Sequence, residues 1–136
     1  MKRRAFIALG GAAALSPLMA IAATKPLTYK TGLVEQHLAA GKTVFVDFYT
    51  SWCSTCRAQG RAVEALRDEN PAYDENIVFV KVDWDIHSGS AIAKKYKIPR
   101  RSTLMVLRGE DELGRIVAGT SRNAIKALMD TGLPTS

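Results

Sequence analysis

The sequence has few cysteines and histidines, and this scarcity argues against a disulfide-stabilised scaffold and against a metal site. Its 136 residues include two cysteines, Cys53 and Cys56, and two histidines, His37 and His87. A disulfide across so short a loop adds little stability through chain entropy, so the pair is a poor structural crosslink. Metal sites usually need about four ligands, and the histidines lie far apart in the chain. The two cysteines are therefore interpreted as reactive groups.

The chain also lacks the basic patches that are typical of nucleic-acid-binding proteins. Its formal net charge is +6, and Lys2, Arg3 and Arg4 at the N-terminus supply three of these charges. There is no long run of basic residues interleaved with aromatic residues, and no internal repeat. The remaining charge is too small to indicate nucleic acid binding by itself. We expect no nucleic acid partner, and the length is that of one domain.

Residues 1–23 read as a signal peptide, which leaves residues 24–136 as the folded domain. Basic residues precede an apolar stretch rich in Ala and Gly, and Ala20-Ile21-Ala22 offers the small residues that a signal peptidase needs. The run Arg3-Arg4-Ala5-Phe6-Ile7 resembles a twin-arginine signal. The leader therefore predicts export to a bacterial periplasm. A general secretory signal and an uncleaved leader that anchors the chain in the membrane are the alternatives.

Strand-like and helix-like segments alternate along the domain. β-branched, apolar runs predict strands, whereas apolar residues spaced three and four apart predict helices. Such an alternation, ending in a hairpin, indicates an α/β fold with a central mixed sheet of about four strands and helices on both faces. The predicted strands are Thr43–Thr50, Ile77–Val82, Thr103–Leu107 and one beginning at Arg115–Ala118; the predicted helices are 33–41, Cys53–Glu69, Ala91–Lys97 and Ser121–Asp130; residues 23–32 are predicted as a linker and Gly109–Gly114 as a polar turn.

The two cysteines lie where a buried strand gives way to a helix. Residues three apart on a helix are neighbours, so the sulfurs of Cys53 and Cys56 can reach disulfide distance with little strain. Cys53 falls at the helix N-terminus, where free N–H groups and the macrodipole favour a thiolate. Cys56, one turn further on, is expected to be more buried. Cys53 is therefore predicted to attack a substrate disulfide, and Cys56 to resolve the mixed disulfide.

Asp47 interrupts the apolar run that leads to the cysteines. A carboxyl group buried in such a strand should have a raised pKa, and it can accept and return the proton of Cys56 directly or through water. The alternative is that the strand's alternation turns Asp47 towards solvent. Lys81 lies in the next strand, where it either faces Asp47 or points into solvent.

The run VDFYTSWCSTC resembles the thioredoxin family's pattern of a strand, an Asp, an aromatic residue, a Trp and a Cys-x-x-Cys pair. The resemblance covers about residues 33–132. It implies the thioredoxin-like sheet and disulfide exchange, with Asp47 as the buried acid, Trp52 as the active-site tryptophan and Lys81 as a lysine near that acid. No cofactor is implied other than the redox-active Cys53–Cys56 disulfide.

Two departures from the family pattern concern the residues around the cysteines. Ser54-Thr55 lies between them, and the absence of histidine there argues against a strongly oxidising pair. The family's cis-proline position is Ser102, followed by Thr103, so the bond before Ser102 is either trans or cis and strained. Its hydroxyl could hydrogen-bond Cys53, or its position could leave room for a metal ion or an iron–sulfur cluster.

The leading prediction is a thiol–disulfide oxidoreductase of exported proteins that acts as a reductant. Its partners would be proteins with thiols or disulfides and a membrane electron donor. Arg101, beside Ser102, is expected to line the substrate-binding rim with Trp52, Ser102 and Thr103, where it can lower the pKa of Cys53 or simply remain solvated. The alternatives are a disulfide oxidase or isomerase, and a protein that binds a metal ion or iron–sulfur cluster.

Overall fold

The structure is a computed structural model that describes residues 25–135. Within that range the chain forms one sheet with the strand order β1-β3-β2-β4-β5. β1 and β2 pair with β3 in parallel, whereas β4 runs antiparallel to both β2 and β5. The strands are β1 (Leu27–Thr28), β2 (Thr43–Tyr49), β3 (Ile77–Asp83), β4 (Thr103–Arg108) and β5 (Asp111–Val117).

Helices cover both faces of this sheet, because each helix has an apolar stripe to bury. One face packs against Val34 and Ile92, and the other packs against Val63, Leu66 and residues near the C-terminus. The helices are α1 (Leu33–Ala39), α2 (Ser54–Glu69), α3 (Ala72–Asn76), α4 (Trp84–His87), α5 (Ala91–Lys95) and α6 (Arg122–Asp130).

The central strand β2 is buried on both sides, which explains its continuous apolar sequence. Val44, Val46 and Phe48 face the α1 and α5 layer, and Phe45 faces the α2 and α6 layer. Asp47 follows the same alternation as Phe45 and therefore points towards α2. Since both faces are covered, Asp47 has no outward side to occupy, and it is only 6% exposed.

The sequence predicted the α/β class and the mixed sheet, but two details of the sheet were wrong. The segment predicted as a linker contains β1, a two-residue edge strand that pairs with β3. The last strand begins at Asp111 rather than at Arg115, so most of the predicted Gly109–Gly114 turn is strand. The short helices α3 and α4 were also not predicted. Two-residue strands and single-turn helices carry too few residues to show a periodicity.

The predicted signal peptide, with its twin-arginine run, lies outside the described residues. In residues 25–135 no helix combines the length and the apolar character that a membrane span requires.

Candidate active site

Cys53 caps the N-terminus of α2 with its own sulfur. Its backbone is extended (φ −90°, ψ 116°), and its Sγ accepts a hydrogen bond from the Cys56 N–H at 3.1 Å. This is the position where unpaired N–H groups stabilise a negative charge. Both cysteines are free thiols. Cys56 was expected to be the more buried of the two, but each is 4% exposed.

The hydroxyl of Ser102 lies between the two sulfurs. Its Oγ is 3.3 Å from Cys53 Sγ and 3.1 Å from Cys56 Sγ. A thiolate at Cys53 can only accept a hydrogen bond, so the Ser102 hydroxyl must then donate to it. The same oxygen can accept from the Cys56 S–H when that proton is not donated to Cys53 Sγ. Ser102 therefore contacts both sulfurs.

These contacts separate the pKa values of the two thiols. Burial raises the pKa of Cys53, but hydrogen bonds from Cys56, Ser102 and Arg101 outweigh it and lower the pKa from 9.0 to about 6. Burial raises the pKa of Cys56, and its hydrogen bond to Cys53 raises it further. Near neutral pH, Cys53 is thus mostly the nucleophilic thiolate while Cys56 keeps its proton. This order of the two pKa values agrees with the roles predicted for Cys53 and Cys56, which stay predictions.

Ser102 reaches this place through an unusual backbone conformation. In residues 25–135 no peptide bond is cis, so the Arg101–Ser102 bond is trans. Ser102 has a φ of 65°, in the left-handed region that side chains with a Cβ seldom adopt. Its N–H donates to Phe48 O at 2.7 Å, and its carbonyl accepts from the Ala118 N–H at 2.8 Å. These backbone contacts hold the strained residue beside the sulfurs.

The exposed Trp52 and the half-buried Arg101 form the rim next to Cys53. Trp52 is 57% exposed, and its indole N–H donates to Asp85 Oδ2 at 2.9 Å. The Arg101 guanidinium lies 4.3 Å from the centre of the Trp52 ring, a cation–π contact. Both residues are therefore placed where a substrate can meet Cys53.

Thr103 does not share this rim. Its side chain is buried, and its hydroxyl donates to Arg100 O at 2.8 Å. Ser102 is also fully buried and faces the sulfurs rather than open solvent. The sequence grouped both residues with the substrate-binding rim, whereas the structure places them behind it.

Asp47 and Lys81 lie beneath the cysteines. They are register partners across β2 and β3, and Lys81 Nζ is 4.2 Å from the centre of the Tyr49 ring. Burial raises the pKa of Asp47 from 3.8 to about 7, the charge of Lys81 opposes this rise, and the charge of Cys53 adds to it. A cleft of about 270 Å³ has both Cys56 and Lys81 in its lining, and a neighbouring cleft is lined by Asp47 and Lys81. Gly60, Glu64 and Lys81 line both clefts, so the two clefts adjoin each other between Cys56 and Asp47.

Comparison with known proteins then settles the family. The sequence profile of the Thioredoxin family matches residues 25–131. The chain belongs to the thioredoxin family. Members of this family are thiol–disulfide oxidoreductases that act on thiols and disulfides of proteins, and this chain has that activity.

Individual thioredoxins agree with this assignment. The chain is 29% identical over 96 residues to thioredoxin from Echinococcus granulosus, and the aligned region covers 71% of this chain and 83% of that protein. It is 31% identical over 94 residues to thioredoxin from Coprinus comatus, which covers 69% and 84%. The crystal structure of Trxlp from Edwardsiella tarda EIB202 superimposes with a TM-score of 0.65 at 28% identity, over 81% of this chain and all of that one.

The thioredoxin-family site contains one buried residue that the sequence reading missed. Gln59 is fully buried on α2, and its side-chain amide contacts Ser102 O and Gly119 O. A signal was present, because Cys56, Gln59, Val63 and Leu66 follow the three- and four-residue spacing of a buried helical stripe. A polar residue on such a stripe needs buried partners.

The described residues include no group of three or more His, Cys, Asp or Glu side chains that could hold a metal ion.

Replacing Asp47 with asparagine should stabilise the protein at high pH. The carboxyl pKa is about 7 when folded and about 3.8 when unfolded, so the folded state binds the extra proton between these values. Stability of the natural protein therefore falls as pH rises from 4 to 7. The gain from Asp47→Asn should grow from near zero at pH 4 to about 4 kcal/mol at pH 8. Urea unfolding across this pH range measures it.

The exposed Asp68 provides a matched control, since Asp68→Asn removes one surface carboxyl from α2. A stability gain for Asp47→Asn that is equal at pH 4 and pH 8 would contradict a buried carboxyl of raised pKa. The same variant tests proton transfer. If Asp47 takes the Cys56 proton, stopped-flow measurements should show slower resolution of mixed disulfides near neutral pH, and an unchanged rate profile would remove Asp47 from the mechanism.

Proposed function

We propose that this protein reduces disulfides in exported proteins through Cys53 and Cys56. The direction is supported by the contacts of Cys53 Sγ, which accepts from the Cys56 N–H at 3.1 Å and lies 3.3 Å from the Ser102 hydroxyl; with the other contacts they lower the pKa of Cys53 only to about 6. A pair becomes a stronger oxidant as its reduced form is stabilised, and strongly oxidising relatives have an attacking thiol with a pKa of about 3.5, against about 7 in reducing thioredoxins. Cys53 lies nearer the reducing end of this range.

The sequence between the cysteines supports the same direction. Ser54-Thr55 contributes no cationic side chain there. The thiolate is stabilised first by the neutral donors Cys56 and Ser102, and to a smaller extent by the charged Arg101. Neutral donors stabilise an anion less than a full positive charge does. A reductant outside the cytoplasm must be resupplied with electrons, so the proposal includes a membrane electron donor that accepts the Cys53–Cys56 disulfide as its substrate.

Export rests on the N-terminal sequence. Basic residues, an apolar stretch and a small-residue cleavage motif together have the organisation of a signal peptide, and Arg3-Arg4-Ala5-Phe6-Ile7 resembles a twin-arginine signal. The twin-arginine route carries folded proteins. The proposal is therefore that the domain folds in the cytoplasm and works in the periplasm.

Cell fractionation combined with thiol alkylation tests compartment and direction together. A bacterial host that expresses the full chain is quenched in acid, its periplasm is separated, and free thiols are labelled with a mass tag. We expect the protein in the periplasm with both cysteines labelled, because a reductant supplied with electrons is held as the dithiol. A chain with Arg3 and Arg4 both replaced by lysine should stay in the cytoplasm.

The alternative outcomes are equally clear. A periplasmic pool held as the disulfide would overturn the reductant and favour an oxidase. A mixed pool would point to an isomerase. Unimpaired export of the double-lysine variant would assign the leader to the general secretory route.

A further inference from the structure

Glutamine at position 59 is unfavourable in the core, because its polar side chain is removed from water. Its side chain is fully buried, and its Oε1 has no hydrogen-bond partner among the described residues. A buried oxygen without a partner is unfavourable, whereas an apolar side chain of the same size would avoid that penalty. The stabilising contribution of this side chain must therefore come from its amide nitrogen. Nε2 donates to Ser102 O at 3.0 Å and to Gly119 O at 2.9 Å.

The two acceptors of Gln59 belong to two different loops. Both acceptors are carbonyl oxygens, so the amide nitrogen must face them. Ser102 precedes β4, and Gly119 follows β5, next to Ala118. Ser102 and Ala118 both have left-handed backbones, with φ of 65° and 64°, and they are joined by the hydrogen bond from Ala118 N to Ser102 O. Gln59 thus connects α2 to both strained segments at once.

The left-handed backbone conformation of Ser102 determines where its hydroxyl lies. A left-handed conformation costs roughly what a single hydrogen bond supplies, so it persists only when the surroundings hold it. Cys56 and Gln59 are three residues apart on α2 and lie on the same face of that helix. One helix therefore carries both a sulfur of the reactive pair and the group that orients the hydroxyl between the sulfurs.

We propose that Gln59 is a positioning residue of the redox pair, which acts through Ser102 by holding its hydroxyl against Cys53 and Cys56. The proposal rests on thiol–disulfide exchange at these cysteines and is independent of the direction and the compartment proposed above. Without Gln59, Ser102 keeps two backbone hydrogen bonds and its hydroxyl contacts with the sulfurs, but its carbonyl is no longer anchored to α2. Its hydroxyl then donates less well to the Cys53 thiolate.

Gln59→Met in the full chain tests this inference, because methionine fills a similar volume and has no amide. Alkylation of Cys53 by iodoacetamide is measured against pH. We expect the apparent pKa of Cys53 to rise by about one unit, equivalent to a tenfold loss of thiolate at low pH. Equilibration with glutathione should favour the disulfide by up to about tenfold, which corresponds to about 30 mV.

Two further variants separate positioning from general destabilisation. Leu66→Ala removes core packing two turns further along α2 without touching Ser102, and it should lower stability but leave the alkylation profile unchanged. Ser102→Ala removes the hydroxyl and should itself raise the Cys53 pKa. If Gln59 acts through Ser102, adding Gln59→Met to Ser102→Ala should produce no further shift.

The proposal is overturned if Gln59→Met leaves the alkylation profile at its natural position, if Leu66→Ala shifts it equally, or if the shifts of Gln59→Met and Ser102→Ala add in the double variant. The profile reports the reactivity of Cys53 in the isolated protein. A reductant that proved to be an oxidase in cells would leave this result unaffected, so the two proposals fail separately.

Discussion

Replacing Cys56 with serine should convert the protein into a trap for its substrates. Cys53 keeps its place at the N-terminus of α2, and its pKa of about 6 in the natural protein makes it mostly thiolate at pH 7. It still attacks a substrate disulfide, but no neighbouring thiol can then attack the mixed disulfide. Because an intramolecular attack is replaced by attack from external thiol, the mixed disulfide should live at least about a thousandfold longer.

Affinity capture followed by non-reducing electrophoresis measures this effect. Cys56→Ser should yield mixed disulfides with substrates that an added thiol reagent cleaves. It should also lose steady-state disulfide reductase activity. Cys53→Ser should lose the activity as well but yield few adducts, because burial and the hydrogen bond to Cys53 raise the pKa of Cys56 in the natural protein. The variant without either cysteine gives the background. Equal trapping by the two single variants would reverse the assignment of attacking and resolving thiols.

Replacing Ser102 with proline, the residue that the family places here, should destabilise the protein strongly. Proline requires a φ near −65°, whereas Ser102 has a φ of 65°. Proline also lacks the N–H that Ser102 donates to Phe48 O at 2.7 Å. We expect the free energy of unfolding to fall by about 3 kcal/mol or more, because the lost hydrogen bond and the backbone mismatch add. Urea unfolding monitored by tryptophan fluorescence measures the loss.

Glycine at the same position is the informative comparison. Ser102→Gly removes the hydroxyl but relieves the left-handed strain of about 1–2 kcal/mol, while it adds freedom to the unfolded chain worth about 0.4–1 kcal/mol. Its stability should therefore stay within about 1 kcal/mol of the natural protein, although the pKa of Cys53 rises. If proline were tolerated as well as glycine, the backbone conformation described for Ser102 would be wrong.

The sequence predicted the reactive centre because the chemistry is encoded locally. A buried strand followed by a helix fixes the placement of Cys53 and Cys56 whatever the rest of the fold does. Asp47 was identifiable because a single acid in a continuous apolar run has few alternatives to burial. Its 6% exposure confirms that it is buried.

The features that were missed depend on contacts between distant parts of the chain. No local preference places serine in a left-handed conformation, and Ser102 adopts one because it makes hydrogen bonds with Phe48, Gln59 and Ala118 in three other parts of the chain. The start of β5 was misplaced for a related reason. Asp111 and Glu112 resemble a hairpin tip, yet they pair with Arg108 and Leu107 because an edge strand can leave charged side chains in water.

The charged residues of β5 also affect whether two copies of this chain can pair edge to edge. Within residues 25–135 the outer edge of β5 carries no further strand, and such an edge is a template for aggregation through added strands. Asp111, Glu112 and Arg115 place charge along β5, and the irregular register between Val106 and Leu107 interrupts its spacing. A foreign strand that docked here would have to desolvate these charges and match a bent edge. Asp111 and Glu112, which made the start of β5 look like a turn in the sequence, thus disfavour the pairing of β5 with another copy of the chain.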